Sequence, residues 1–560
     1  MEKFWRYVKE SIIGDGVEID TPFGKRMLTY ADYTASGRGV LFIEEYMYKM
    51  LELYANTHTE DDATGHLTTG RLSRAEKTIK RLVNAGEGYK IIETGTGATG
   101  AIHHLQKILG LYVPPAGKLM FRAQLEAFFD ARETDRLVRH LDNMRPVVFV
   151  GPFEHHSNFV SWRECVAEVV EVDLDGEGLI DVADLEQKIG RKEYEGRMKI
   201  GSFSAASNVT GIVAPVYDIA RILHRNSAYA FFDFAAIAPY VPIDMMKDEE
   251  SFFDGIFFSP HKFLGGPGGC GILIIHEKIY HGELPPTAGG GGTVDYVNSY
   301  SQDYITDIET REKPGTPGVL QVMKAALAME LKEKMDPERI ERRERELVMR
   351  AFARLRGDKR IEIVGNSDPR KRIAIVSFNV RRRDAYLHPR FVTRLLNDLF
   401  GVQSRAGCLC AGPYGHRLLH IDRRQSQRYR DLVHEGTQGL KPGWTRLNFH
   451  FLLSDEECDF ICDAVRFIAR YGVFFLPLYR FDMATGNWSH CEKPGPEPSF
   501  GIEHALDTVF RAVETAAGRA VPCARYLKKA KEIASALKDS FCEERLATTD
   551  RRLFPFLYYS

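Results

Sequence analysis

What this chain lacks excludes several kinds of protein at once. No uncharged apolar run approaches the ~18 residues of a membrane span, and the opening stretch Met1-Glu2-Lys3-Phe4-Trp5-Arg6 lacks the apolar core of a secretion signal. Net charge is nearly absent, 75 Lys and Arg against 77 Asp and Glu, so no basic field points to nucleic acid or an anionic membrane. Cysteine is sparse, nine in 560 residues and odd in number, which argues against a secreted disulfide framework. A cytoplasmic protein is expected. What is present, 44% hydrophobic and 27% charged residues, suits a soluble chain of two or three domains.

The chain is organised around Ser259-Pro260-His261-Lys262 and the glycine-rich run 263–269 that follows. Phe257-Phe258 closes one buried strand and Cys270 to Ile275 forms the next, which places Lys262 in a tight turn between core strands. An ammonium there is costly to desolvate unless paired or neutralised. The aldehyde of pyridoxal phosphate neutralises such an amine by condensing with it; a rim position in water is the alternative.

Lys90 to Gly100 reads as strand, glycine-rich turn and helix start, with Ala101 to Leu109 continuing the helix. Free N–H groups and the positive end of a helix dipole then meet at one point, an anion cradle suited to phosphate. It fits neither the dinucleotide fingerprint nor the P-loop; a plain turn is the alternative. The strand 146–151 ends near Glu154-His155-His156-Ser157-Asn158, where a His pair could make a turn, a metal site or a ring that stacks on a ligand. The strand 199–204 leads to Ser207-Asn208-Val209-Thr210-Gly211, and the strand 229–235 carries Asp233. Burial would raise that acid's proton affinity unless a cation opposed it; capping the next turn is the alternative.

Strands and helices alternate from 90 to 275, so a largely parallel sheet flanked by helices is expected. Further helices are expected over Phe42–Tyr54, over Arg74–Val83 with Ser73 as cap, and over 319–356 as one long element. Residues 110–145 read as a charged helical insertion. The expected division is an arm at 1–30, a large domain at 31–325, a small domain at 326–475 and a helical extension at 476–560. That extension holds the linker Pro494–Pro498 and helices over Glu503–Ala517 and Ala524–Phe541. Seven cysteines, Cys458 and Cys462 among them, read as core thiols.

Taken in order, the phosphate cradle, strand-end His, strand-end Asp and turn Lys resemble the class V, cysteine desulfurase-like branch of fold-type I pyridoxal-phosphate enzymes, over about residues 25–475. The resemblance implies an α/β large domain with a mostly parallel seven-stranded sheet and a smaller α+β domain. It implies that Gly97, Ala98, Thr99, Ser259 and His261 bind the cofactor's phosphate, that Asp233 faces its ring nitrogen, and that His155 stacks on the ring. Lys262 matches the lysine that condenses with the aldehyde and then moves the Cα proton. Asn208 and Arg446 match the pair that grips the substrate carboxylate.

Arg405-Ala406-Gly407-Cys408-Leu409-Cys410-Ala411 matches the Arg-x-Gly-x-x-Cys-Ala loop of the desulfurase nucleophile, with Cys410 as the thiol. The implied reaction takes sulfur from L-cysteine, or selenium from selenocysteine, onto Cys410 and releases alanine; a protein could accept the sulfur. Cys408 relays that sulfur or only packs. A metal site joining these cysteines to His416 and His420 is poorly spaced, so no metal is expected. Ala236 stands where many members carry a Gln. A homodimer is implied, with Gly289–Thr293 and Thr316 reaching the neighbouring subunit's site. The rival readings are a pyridoxal-phosphate C–S lyase, epimerase or aminotransferase without a cysteine nucleophile, and a non-catalytic scaffold.

Overall fold

The structure is a computed structural model that describes residues 2–57, 59–407, 410–492 and 523–560. The expected linker at 494–498, the expected helix at 503–517 and Cys408 lie outside the described residues. Two units emerge, one of residues 36–207 and 212–338, the other of 1–35, 208–211 and 339–560.

The first unit is built on a seven-stranded sheet of β1 (Tyr89–Thr94), β2 (Val147–Val150), β3 (Glu168–Glu171), β4 (Lys199–Ser204), β5 (Ala228–Asp233), β6 (Gly255–Phe258) and β7 (Gly271–His276). Their order across the sheet is β1-β7-β6-β5-β4-β2-β3. Only β7 runs against its neighbours; the other pairings are parallel. Strands buried on both faces need continuous apolar runs rather than alternation, and Val147–Val150 and Gly255–Phe258 are buried throughout. Helix α1 (Gly97–Ile108) follows β1, α2 (Pro115–Phe128) and α3 (Ala131–Met144) form the insertion, and α4 (His156–Arg163) follows β2. The parallel register sets Ser204 beside Asp233 and Asp233 beside Phe257, which aligns the carboxyl ends of β4, β5 and β6. Such ends are where open α/β sheets bind ligands.

Two helix expectations are corrected. The helix assigned to Arg74–Val83 starts at Ala63, and its cap is Asp62 rather than Ser73. The Asp62 carboxylate accepts from the backbone N–H of Thr64 and Gly65 at 3.0 and 2.8 Å, and packing on the helix Val319–Lys334 carries Gly65 and Gly70 inside the longer element. The element expected as one helix over 319–356 is two, Val319–Lys334 and Pro337–Leu355. Pro337 supplies no N–H and disfavours helical backbone before it; Asp336 accordingly sits at φ +69°.

In the second unit the strands Arg405–Gly407, Trp444–Asn448, Ile375–Arg382 and Ala385–Leu387 join in that order, and the sheet continues into Phe556–Tyr559 and Leu546–Thr548. The extension is therefore not purely helical: Tyr386 and Leu387 pair in parallel with Phe556 and Leu557, while Cys523–Ser540 forms the one expected helix that is described there. Nor is 1–30 a separate arm, since Thr29–Tyr30 pairs with Val402–Gln403 and the Arg26 guanidinium donates to the Leu399 carbonyl at 2.6 Å. The helix Asp455–Tyr471 is closed by a reciprocal capping box between Ser454 and Glu457. It buries Cys458 and Cys462 one turn apart in a core with Phe378, Leu396 and Leu447. Among the described residues no helix is long and apolar enough to cross a membrane.

Candidate active site

In the first unit the turn Pro260–Lys262 ends β6, and Ser259 turns its hydroxyl toward the N-terminus of α1. The Ala98 N–H donates to Ser259 Oγ at 2.9 Å. Gly97 takes φ +59°, and a Cβ there would lie 2.7 Å from Ser259 Oγ. That is a cradle in which backbone N–H groups, a helix terminus and a hydroxyl converge with no room for a side chain. His261, next in the turn, is half-buried; burial first and the Lys262 charge second lower its proton affinity. Its Nδ1 lies 3.3 Å from Ser36 Oγ.

Asp233 is buried at the end of β5. Desolvation raises its pKa to about 6, opposed by a hydrogen bond from the Ala235 N–H and by the charge of Lys262. The turn-capping contact expected as the alternative is present, with Oδ1 accepting from the Ala235 N–H at 2.8 Å. Lys262 is half-buried, between rim and core.

His155 is the N-cap of α4, and its Nδ1 accepts from the Ser157 N–H at 3.1 Å. That bond assigns the proton of the neutral ring to Nε2. Ser157 Oγ lies 3.0 Å from His155 Nδ1 and 2.7 Å from Thr99 Oγ1, so one hydroxyl ties the ring to the α1 turn. Behind it stands Glu154, which sequence reasoning passed over. Its carboxylate accepts from Gly151 N, Ser204 N, Ser204 Oγ and Asn158 Nδ2. Burial nonetheless pushes it up to about 7, with Asp233 adding to the rise. The only sequence signal was an acid four residues beyond an apolar strand. Thr316 is exposed in the loop before Val319.

In the second unit Arg405 and Arg446 stand directly opposite each other on antiparallel strands, where like charges repel. Asp32, given no role above, lies between them. Arg446 Nη2 donates to Asp32 Oδ1 at 2.7 Å and Arg405 Nε to Oδ2 at 3.0 Å. A second arm of Arg446 donates to the Asn208 carbonyl at 2.9 Å, so Asn208 and the buried Arg446 are neighbours. Register alone could have paired the arginines; an acid between two tyrosines was too faint to supply their partner. Cys410 is exposed at φ +58°, just before the helix Gly412–Leu418.

The family described as Aminotransferase class-V matches residues 137–428, a little over half of the chain. A probable cysteine desulfurase of Halalkalibacterium halodurans is 29% identical over 391 residues, 69% of this chain and 84% of that protein. One of Staphylococcus aureus is 29% identical over 409 residues, covering 72% and 87%. Among solved structures, the apo cysteine desulfurase of Thermococcus onnurineus superposes with TM-score 0.62 at 23% identity, over 79% of this chain and 95% of that one. The cysteine desulfurase CsdA of Escherichia coli gives 0.57 at 22%, over 78% and 93%. The structural likenesses establish a shared fold.

Proposed function

This chain belongs to the class-V aminotransferase family, and from that premise we propose that it is a pyridoxal-phosphate-dependent cysteine desulfurase, which moves the sulfur of L-cysteine to Cys410 and releases alanine. The observation that carries the cofactor assignment is the constellation on the first unit. A glycine turn at the start of α1 against Ser259, a buried acid at Asp233 and an amine at Lys262 close enough to bias that acid gather at neighbouring strand ends. The residues fit the group: the cradle suits its phosphate, Asp233 its ring nitrogen and Lys262 its aldehyde.

When bound, pyridoxal phosphate supplies an electron sink conjugated to the substrate's Cα. The chain's own residues supply the rest. N–H groups at the start of α1, with Thr99, Ser259 and His261, hold the phosphate; Asp233, ionised, keeps a proton on the ring nitrogen. His155, fixed through Ser157, presents its ring face and an Nε2 proton. Arg446 and Asn208 take the substrate carboxylate, with Asp32 holding the guanidinium plane and Arg405 beside it. Lys262 accepts the Cα proton and returns it. Cys410, as thiolate, attacks the substrate sulfur: an S–S bond forms, the C–S bond breaks, and its electron pair stays on the β-carbon, which takes up a proton to give alanine. An exposed thiol is what such an attack and the later hand-over to a sulfur acceptor require.

Incubation of the cofactor-loaded protein with L-cysteine and a dithiol, which reduces the persulfide and releases its outer sulfur as sulfide, tests this reading. Alanine formed one-for-one with sulfide, and lost in Cys410→Ala while the visible cofactor band persists, is the expected result. Pyruvate and ammonia released regardless of Cys410 would assign it to the C–S lyases.

A further inference from the structure

Glu154 is a buried acid to which the catalytic reading gives no task. It lies between the end of β2 and the start of α4, and its carboxylate joins three elements. Oε1 accepts from the Gly151 N–H at 3.1 Å and the Ser204 N–H at 2.8 Å. Oε2 accepts from Ser204 Oγ at 2.6 Å and Asn158 Nδ2 at 2.7 Å. Three of these donors are N–H groups with no lone pair to offer, so in either orientation an amide would turn its own NH2 toward at least one of them. The set is filled by a carboxylate. A Cβ at Gly151 would lie 2.5 Å from Glu154 Oε1, so a side chain there would displace the acid. The far side of the clamp is fixed as well, since Asn158 Oδ1 accepts from Ser202 Oγ at 2.5 Å and from Trp162 Nε1 at 3.1 Å.

Ser204, which gives two of the four hydrogen bonds, is the residue paired with Asp233 across β4 and β5. Two acids are thus buried at adjoining strand ends, and the charge of Asp233 acts on Glu154. Like charges so placed resist ionising together unless a cation lies beside them. His155 and His156 follow Glu154 in the chain, and Lys262 acts on Asp233 from the turn after β6. A protonated pyridine nitrogen at Asp233 is a cation that lets both acids ionise, and both then hold its proton. We propose that Glu154 is a positioning residue for the cofactor ring. Ionised and held by its four donors, it backs Asp233 in keeping the proton on the ring nitrogen, and it fixes the start of α4 from which His155 meets the ring. The inference rests on the pyridoxal-phosphate reading and not on the desulfurase one, because the ring's protonation precedes any choice between sulfur transfer and lyase chemistry.

Nitrogen NMR of the full-length protein, loaded with pyridoxal phosphate isotopically labelled at its ring nitrogen, reads that proton directly. In Glu154→Gln the pH at which the ring nitrogen is half-protonated is expected to fall by about one pH unit, a tenfold loss of proton affinity. Glu154→Asp keeps the charge and is expected to recover most of that fall, whereas Asp233→Asn, which removes the direct partner, is expected to lose more than either. A clamp serving packing alone would lower the melting temperature of both Glu154 variants and leave the ring nitrogen protonated as in the parent at every pH; that result overturns the proposal. Should Glu154→Gln not fold, Ser204→Ala takes away one donor, weakens the ionised form of Glu154 and is expected to move the midpoint in the same direction, an unmoved midpoint again overturning the proposal. Protein that takes up no labelled cofactor would overturn the pyridoxal-phosphate reading itself and this inference with it, so the two failures are distinct.

Discussion

At Gly97 one missing side chain lets a turn pack against Ser259. A methyl there would meet Ser259 Oγ at 2.7 Å in a left-handed backbone that costs an L-residue roughly 1–2 kcal/mol. Gly97→Ala is expected to weaken pyridoxal phosphate about tenfold or more, read by titrating the visible band into cofactor-free protein; unchanged affinity would remove the phosphate from this turn. Asp32 works by charge. Without it, Arg446 and Arg405 face each other across a strand pair, and breaking a buried ion pair costs about 3–5 kcal/mol. Asp32→Asn is expected to lower the unfolding midpoint and raise the KM for L-cysteine, with Asp32→Glu recovering part of both. Neither effect was visible in the sequence, because each belongs to residues distant along the chain.

At the scale of the element, the helix Pro337–Leu355 carries the buried Glu344, whose Oε2 accepts from the Ala374 N–H at 3.3 Å. Desolvation, against backbone hydrogen bonds, raises it to about 8. The folded state therefore holds a proton that the unfolded chain releases above pH ~4.5. This stabilisation is complete below that pH and is lost as pH rises through about 8. Glu344→Gln has no such slope, so its melting temperature should overtake the parent's progressively between pH 5 and 8. The gap should approach the order of 4 kcal/mol at 1.36 kcal/mol per pKa unit; parallel profiles would show the carboxyl ionised throughout. The elements themselves were legible where a local cause sufficed. The strand 255–258, the turn at Lys262 and the capped helix after Ser454 carry their signals within a few residues. Two glycines hide the start of the helix at Ala63, which tertiary packing supports, and the break at Asp336 has only Pro337 to announce it.

Across the whole molecule, the C-terminal residues complete a sheet. Leu553, Phe556 and Leu557 are buried, and at about 1.5–3 kcal/mol per fully buried apolar side chain their removal is a heavy loss. Truncation after Ser540 is expected to lower the first calorimetric transition and to open the helix Cys523–Ser540 to protease. A truncated chain as stable as the parent would show the added strands to be ornamental.

By itself the sequence determined the parallel sheet, the turn lysine and the strand-end acid, because each is written in short-range pattern: apolar period, glycine placement and the residue at a strand's end. Only the tertiary structure decided that Asp32 sits between two arginines, that Glu154 gathers four donors beneath His155, and that residues 546–559 extend the sheet of the second unit. Those arrangements depend on which buried charge finds a counter-charge and which strand edge finds a partner. Desolvation and edge pairing settle such choices between segments from 50 to 414 residues apart.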